Sequence, residues 1–170
     1  MISVVIPAFN EGEGIEACLK SVCDQTLPRD QYEVIVVDGN SKDNTREIAA
    51  KYADKVIIQT SKKVGGARND GVMEAKYDWI VTADADCFFP RTWLETIVND
   101  FKNHPEAATF YGPIYPLEPG LKHKIEVFLY NRVVWLGGKT GIFYATLGAN
   151  TAFRKKEFIE AGMYRVCDAG

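Results

Sequence analysis

Histidine is scarce in this chain, and cysteine is not arranged for chemistry. The two histidines, His104 and His123, stand apart from each other and from any serine or cysteine arrangement that would build a nucleophilic triad. The four cysteines, Cys18, Cys23, Cys87 and Cys167, have neither zinc-type nor redox-type spacing. At 170 residues and 46% hydrophobic, the chain has core enough without disulfide staples, so a reducing cytoplasm is the expected setting. No apolar run reaches the roughly 18 residues that span a bilayer. The start, Met1-Ile2-Ser3-Val4-Val5-Ile6-Pro7, lacks the basic residues and cleavage site of a secretory signal. Positive charge is not in excess either: a formal net charge of −3 removes the electrostatic case for a nucleic acid partner. Internal repeats, low-complexity linkers and the Gly-x-Gly-x-x-Gly and Walker patterns are missing as well. The expectation is one globular domain over residues 1–170.

What is present is an alternation of strand-like and helix-like segments. Residues 2–6, 33–37, 56–59 and 78–82 read as short apolar strands, and residues 13–23, 44–52 and 66–75 as helices. The order β-α-β-α-β-α-β predicts an α/β fold with a mostly parallel sheet flanked by helices on both faces, because each parallel crossover needs a helix to return the chain. In such sheets ligands bind beyond the carboxyl ends of the strands. The segments found there are Pro7-Ala8-Phe9-Asn10-Glu11, Asp38-Gly39-Asn40-Ser41 and Asp84-Ala85-Asp86.

Asp84-Ala85-Asp86 is open to two readings: an exposed turn after a strand, or a pair of hard oxygen ligands for Mg²⁺ or Mn²⁺ in phosphate chemistry. Asp38 either closes an Asx turn or offers its carboxylate to the ring N–H of a uracil or guanine base. Asp43 suits the N-cap of the helix that follows. In Lys62-Lys63-Val64-Gly65-Gly66-Ala67-Arg68, the glycines at a helix start and Arg68 would suit a diphosphate; the plainer reading is a loop with a solvated arginine.

Taken together, Val4-Val5-Ile6-Pro7-Ala8-Phe9-Asn10-Glu11, Val36-Val37-Asp38-Gly39-Asn40-Ser41-Lys42-Asp43-Asn44-Thr45, Gly66-Ala67-Arg68-Asn69 and Asp84-Ala85-Asp86 resemble, in order and spacing, the family 2 glycosyltransferases of the GT-A fold. Gly148-Ala149-Asn150-Thr151-Ala152-Phe153-Arg154 and Glu160-Ala161-Gly162 are similar to that family's acceptor-side segment. The resemblance implies a nucleotide-diphospho-sugar transferase: metal-dependent, inverting transfer from a UDP- or GDP-sugar to an acceptor hydroxyl or polyprenyl phosphate. It implies that Pro7, Ala8, Phe9 and Glu11 border the nucleoside and that Asp38 binds the base. Arg68, Asp84 and Ala85 would lie near the ribose and diphosphate, with Asp86 and Asp84 holding Mg²⁺ or Mn²⁺. A saccharide or lipid-linked acceptor, work on cell-envelope polysaccharide and a place at the inner face of the membrane belong to the same expectation.

Two departures stand out. Many relatives carry a second Asp where this chain has Gly39. The acceptor-side base, usually in a Glu-Asp pair, is not evident before Gly170; Asp168 is the nearby carboxylate, and the expectation is a base beyond the chain end. Two alternatives remain: a non-catalytic nucleotide-sugar-binding module, and an aspartate-nucleophile phosphatase, which would need its motif on an early strand. In the middle of the chain, residues 107–115 read as a strand. Residues 121–136 read as a helix whose stripe Ile125, Phe128, Leu129, Val133 and Leu136 is expected either as ordinary core or as a membrane-surface face. Gly137-Gly138-Lys139-Thr140-Gly141 is expected as a loop.

Overall fold

Valine and isoleucine crowd two segments so densely that both faces of each strand need cover. These are β1 (Ile2–Ala8) and β2 (Tyr32–Asp38), buried along their whole length. In the computed structural model, which describes residues 1–113, 121–140 and 150–164, they pair in parallel within a six-stranded sheet of order β3-β2-β1-β4-β6-β5. Strands β3 (Lys55–Ile58) and β4 (Trp79–Thr82) extend the parallel part, against β2 and β1 respectively. Beyond β4 the direction reverses: β6 (Thr151–Arg154) pairs antiparallel with β4, and β5 (Thr109–Tyr111) antiparallel with β6.

The two-residue period of a strand sends alternate side chains of β1 into different cores. Ile2, Val4, Ile6 and Ala8 join one core with Ile15, Cys18, Leu19 and Val22 of α1 (Ile15–Cys23) and Trp93, Leu94, Ile97, Val98 and Phe101 of α4 (Trp93–Asn103). Val5 joins the opposite core with Ile35, Val37, Ile80 and the inner face of α3 (Lys63–Glu74). Each valine, leucine, isoleucine or phenylalanine among them contributes about 1.5–3 kcal/mol by leaving water. Helix α3 approaches the sheet closely because residue 71 has no side chain: a Cβ there would lie 2.4 Å from Val5 Cγ1 and 2.8 Å from Val37 Cγ2. The remaining helices are α2 (Thr45–Ala49), α5 (Leu121–Thr140) and α6 (Lys155–Glu160).

Several elements differ from the expectation. Helix α3 begins at Lys63, three residues early, so Gly65 and Gly66 lie inside it rather than at its start. Helix α4 was not anticipated, although Trp93, Leu94, Ile97, Val98 and Phe101 have helical spacing. Strand β5 is only Thr109–Tyr111 of the expected 107–115, of which residues 114–115 lie outside the described set. Residues 137–140 are helical and not a loop: two glycines cost about 1 kcal/mol each, too little to end a helix already many turns long. The stripe Ile125, Phe128, Leu129, Val133 and Leu136 stands exposed, so the core reading is corrected; both cores are already closed by α1, α4 and α3. Among the described residues no helix is long and apolar enough to cross a membrane.

Candidate active site

The carboxyl ends of the parallel strands lead into loops that are tied to one another by side chains. After β1, the Asn10 N–H donates to Ser41 Oγ (2.9 Å), the Glu11 N–H to Thr45 Oγ1 (2.8 Å) and the Gly12 N–H to Asp43 Oδ2 (2.9 Å). Asp43 thus anchors the neighbouring loop and accepts from the Thr45 N–H (3.1 Å), but the N-cap of α2 is Asn44, so the cap position expected of Asp43 is corrected by one residue. Asn10 and Asn40 take the left-handed backbone conformation, with φ of 54° and 67°, which asparagine tolerates better than most residues. This bracing holds the β1 and β2 loops as one wall.

Facing that wall is a cavity of about 750 Å³. Pro7, Ala8, Phe9, Glu11, Arg68, Asp84, Ala85 and Asp86 all line it, so the structure gathers eight of the nine residues expected around the nucleotide and metal. The ninth, Asp38, is fully buried and is absent from the lining. Its carboxylate accepts the Ser41 N–H (3.1 Å) and Arg46 Nε (3.0 Å), the bonding of an Asx turn completed by an ion pair. Sequence reasoning missed Gln59 and Ser61, which also line the cavity. The signal was available, since they follow the carboxyl end of β3 as the other segments follow theirs.

Arg68 is mostly buried and donates through Nη2 to Asp84 Oδ1. Its Nε is buried without a hydrogen-bond partner among the described residues, and its guanidinium lies 5.8 Å from the centre of the Tyr164 ring. The residues beside it are equally committed. Asn69 exchanges two hydrogen bonds with the Tyr164 backbone (2.9 and 3.1 Å), and Asp70 accepts the N–H groups of Thr60 and Ser61 (2.6 and 2.9 Å). Burial alone would raise the Asp70 carboxyl, but those donors and the two hydroxyls outweigh it and hold the group below its ordinary value of 3.8.

A depressed folded-state pKa stabilises fully above the unfolded value and is lost as pH falls through the folded one. Asp70→Ala is therefore expected to cost about 2 kcal/mol at pH 7, and less at pH 3 and below. Urea unfolding at both pH values measures this, and a pH-independent difference would contradict it.

At the turn after β4, Ala85 is buried and pins the chain while Asp84 and Asp86 face outward. The Cys87 N–H donates to Asp84 O (3.2 Å), and the Cys18 thiol donates to the same carbonyl from beneath (3.5 Å). Negative charge is concentrated here. Glu11 is raised above the usual carboxyl range, first by burial and then by the Asp86 and Asp43 carboxylates. Burial pushes the Cys18 thiol up to about 12, helped by Cys87, Asp86 and Asp84; burial and the two aspartates push Cys87 up to about 11. Thiols raised this far stay protonated at neutral pH, the less reactive form of cysteine.

Among the described residues there is no group of three or more side chains that could hold a metal ion. The donor set still fits Mg²⁺ or Mn²⁺ shared with a diphosphate, since such ions are commonly held by one or two carboxylates plus substrate phosphates. The Asp86 and Asp43 carboxylates, which add to the effect of burial on Glu11, are a concentration of negative charge that a cation would relieve. A second, more apolar cavity of about 540 Å³ lies on the other side of Asp86, lined by Phe88, Trp93, Phe110 and Asn150 among others. Asn150, from the expected acceptor-side segment, receives a hydrogen bond from Trp93 Nε1 (2.8 Å). Gly148, Ala149 and the candidate base Asp168 lie outside the described residues.

Residues 3–157 match the family described as Glycosyl transferase family 2. The chain is 37% identical over 100 residues to glycosyltransferase AglE of Haloferax volcanii, covering 55% of this chain and 33% of that one. It is 35% identical over 112 residues to dolichol-phosphate mannosyltransferase of Pyrococcus furiosus, covering 63% of this chain and 32% of that one. Among solved structures, S. aureus TarS in complex with UDP-GlcNAc superposes with a TM-score of 0.74 at 20% identity, over 96% of this chain and 48% of that one. The mannosyltransferase PcManGT of Pyrobaculum calidifontis, in complex with GDP-Man and Mn²⁺, gives 0.73 at 24% identity, over 95% and 46%. These two likenesses establish the fold, and the chain spans about a third to a half of the length of these four proteins.

Proposed function

The chain belongs to glycosyl transferase family 2, and on that premise we propose that it forms the donor-binding part of a glycosyltransferase that uses a nucleotide-diphospho-sugar. The observation that carries this reading is the convergence of Phe9, Glu11, Arg68, Asp84 and Asp86 on one cavity of about 750 Å³, a volume suited to a nucleoside diphosphate. In this reading Asp86, with Asp84, holds Mg²⁺ or Mn²⁺. A bound divalent ion supplies Lewis-acid stabilisation of charge on the departing diphosphate. Arg68 orients Asp84 and adds a fixed positive charge at the same wall. No protein acid is then needed at the leaving group.

Transfer with inversion would require a base beside the acceptor. We assign that base to residues outside those described, among which Asp168 is the candidate carboxylate. The acceptor is taken to approach from the side of Asp86 where the apolar cavity opens. Two relatives are named for dolichyl or dolichol phosphate substrates. A lipid-linked acceptor, cell-envelope work and contact of exposed α5 side chains with a cytoplasmic membrane face extend the proposal in that direction.

The test is a thermal-shift panel of UDP, GDP, CDP and ADP with Mn²⁺, Mg²⁺ or chelator. UDP or GDP is expected to raise the melting temperature only when the metal is present. A chain that no nucleotide stabilises under any of these conditions would sink the proposal.

A further inference from the structure

A buried arginine with an idle donor needs something else to hold it in place. Arg68 donates to Asp84 Oδ1 through Nη2, while its Nε is buried with no hydrogen-bond partner among the described residues. The guanidinium lies over the Tyr164 ring, 5.8 Å from its centre. We propose that Tyr164 is a positioning residue for the donor cavity: its ring holds Arg68 against Asp84, and through that pair sets how firmly the metal and the donor's diphosphate are bound. The inference rests on the donor-binding reading above, and it concerns a residue that does not line the cavity.

Tyr164 is fixed from three elements. Its N–H donates to Asn69 Oδ1 (3.1 Å) and its carbonyl accepts Asn69 Nδ2 (2.9 Å), so α3 clasps its backbone on both sides. Its hydroxyl is hydrogen-bonded to the side chain of Thr82, the last residue of β4. Thr82 Oγ1 gives its own proton to Thr151 O (3.2 Å), which leaves the Thr82 oxygen as the acceptor for the phenol. Phe158 of α6 meets the ring edge-on, with centres 5.1 Å apart and planes at 62°. The chain arrives here through Met163, whose φ of 60° is a left-handed conformation that a side-chain-bearing residue keeps only where surrounding contacts impose it.

Ring and hydroxyl divide the work. The attraction of a cation to an aromatic face is strongest where water is excluded, and Arg68 is only 8% exposed. The hydroxyl takes no part in that contact and serves the tether to Thr82. Removing the hydroxyl should therefore loosen the fold without releasing Arg68. Removing the ring should let the guanidinium turn away from Asp84, whose carboxylate would then meet the ion and the diphosphate unguided. Affinity falls in that case although every residue lining the cavity is unchanged.

The experiment measures the dissociation constants of UDP and GDP with Mn²⁺, and the melting temperature without ligand, for the wild type, Tyr164→Phe, Tyr164→Leu and Asn69→Ala. Tyr164→Leu is expected to weaken the preferred nucleotide about fivefold or more. Tyr164→Phe should melt lower than the wild type, having lost the Thr82 bond, yet bind that nucleotide within about twofold. A tyrosine that only supports the fold predicts otherwise, because affinity would then follow stability in both variants. In an Arg68→Met background Tyr164→Leu should cost no further affinity, since the group it acts through is gone. Asn69→Ala opens the clasp from the other side and should weaken binding about threefold; it decides the matter if the Tyr164→Leu chain does not fold. Unchanged affinity in the deciding variant would overturn the inference. So would equal losses in Tyr164→Phe and Tyr164→Leu, or the same loss from Tyr164→Leu with Arg68 already removed. A wild type that binds neither nucleotide rejects the donor-binding reading itself, a distinguishable result.

Discussion

Asp86→Ala is expected to abolish metal-dependent nucleotide stabilisation without harming the empty protein. A nucleotide at a hundred times its dissociation constant adds about 2.7 kcal/mol, or about 5–10 °C in melting temperature for a domain of this size. In the variant that shift should fall below about 2 °C with Mn²⁺ present, and with chelator the two proteins should behave alike. The unliganded variant should melt no lower than the wild type, because Asp86 is exposed and its charge crowds Glu11. Asp84→Ala should behave differently, since it strips a mostly buried Arg68 of its ion-pair partner. Because the Asp84 side chain is partly exposed, that substitution is expected to lower the unliganded stability by about 1–2 kcal/mol. A full Mn²⁺-dependent shift in Asp86→Ala would remove Asp86 from the metal site.

Gly71→Val should destabilise the fold by about 3 kcal/mol or more, seen as a lower urea midpoint with an unchanged slope. Position 71 has no room: even the first carbon of a side chain would meet Val5 Cγ1 at 2.4 Å and Val37 Cγ2 at 2.8 Å, in the middle of the sheet. Helix propensity argues the opposite way, favouring alanine over glycine by about 1 kcal/mol. A neutral or stabilising Gly71→Ala would therefore show that the packing is looser than described. The consequence reaches the site, because pushing α3 off the sheet also moves Arg68 away from Asp84. Gly71→Ala combined with Val5→Ala should recover part of the loss, a coupling that a double-mutant cycle measures.

The sequence was most legible where one force dominates. The apolar runs of β1 and β2 could only be strands covered on both sides, and Glu11 after β1 and Asp84 and Asp86 after β4 could only lie at one rim. It was least legible where a residue's part depends on a distant neighbour. Strand β6 is four residues long and becomes a strand only by pairing with β4, which lies about seventy residues earlier. Periodicity in α5 showed a stripe but could not show what would cover it, and the described residues leave it exposed. The partners of Asp38, Ser41 and Arg46, could not be named from the sequence. Gln59 gave no signal at all beyond its place after a strand, because its orientation depends on two carbonyls in the next turn. The run from Gly66 to Gly71 is the reverse case. A motif that read either as a diphosphate site or as a loop with a solvated arginine is a helical series of contacts in which a mostly buried Arg68 lines the cavity, Asn69 and Asp70 fasten flanking segments, and Gly66 and Gly71 permit close packing against Ser61 and the sheet.

The position of β6 between β4 and β5 also sets an order of assembly. The pairings among β1, β2, β3 and β4 are all made by residues up to Thr82, so a chain emerging from the ribosome can close the parallel sheet early. Strand β5, although synthesised next, pairs among the described residues with β6 alone, some forty residues later. The wall that holds Phe9, Glu11 and Gln59 can therefore be complete while the apolar cavity beyond Asp86 still lacks a side. Vectorial synthesis would then build the cavity lined by Phe9 and Glu11 first and the neighbouring chamber last.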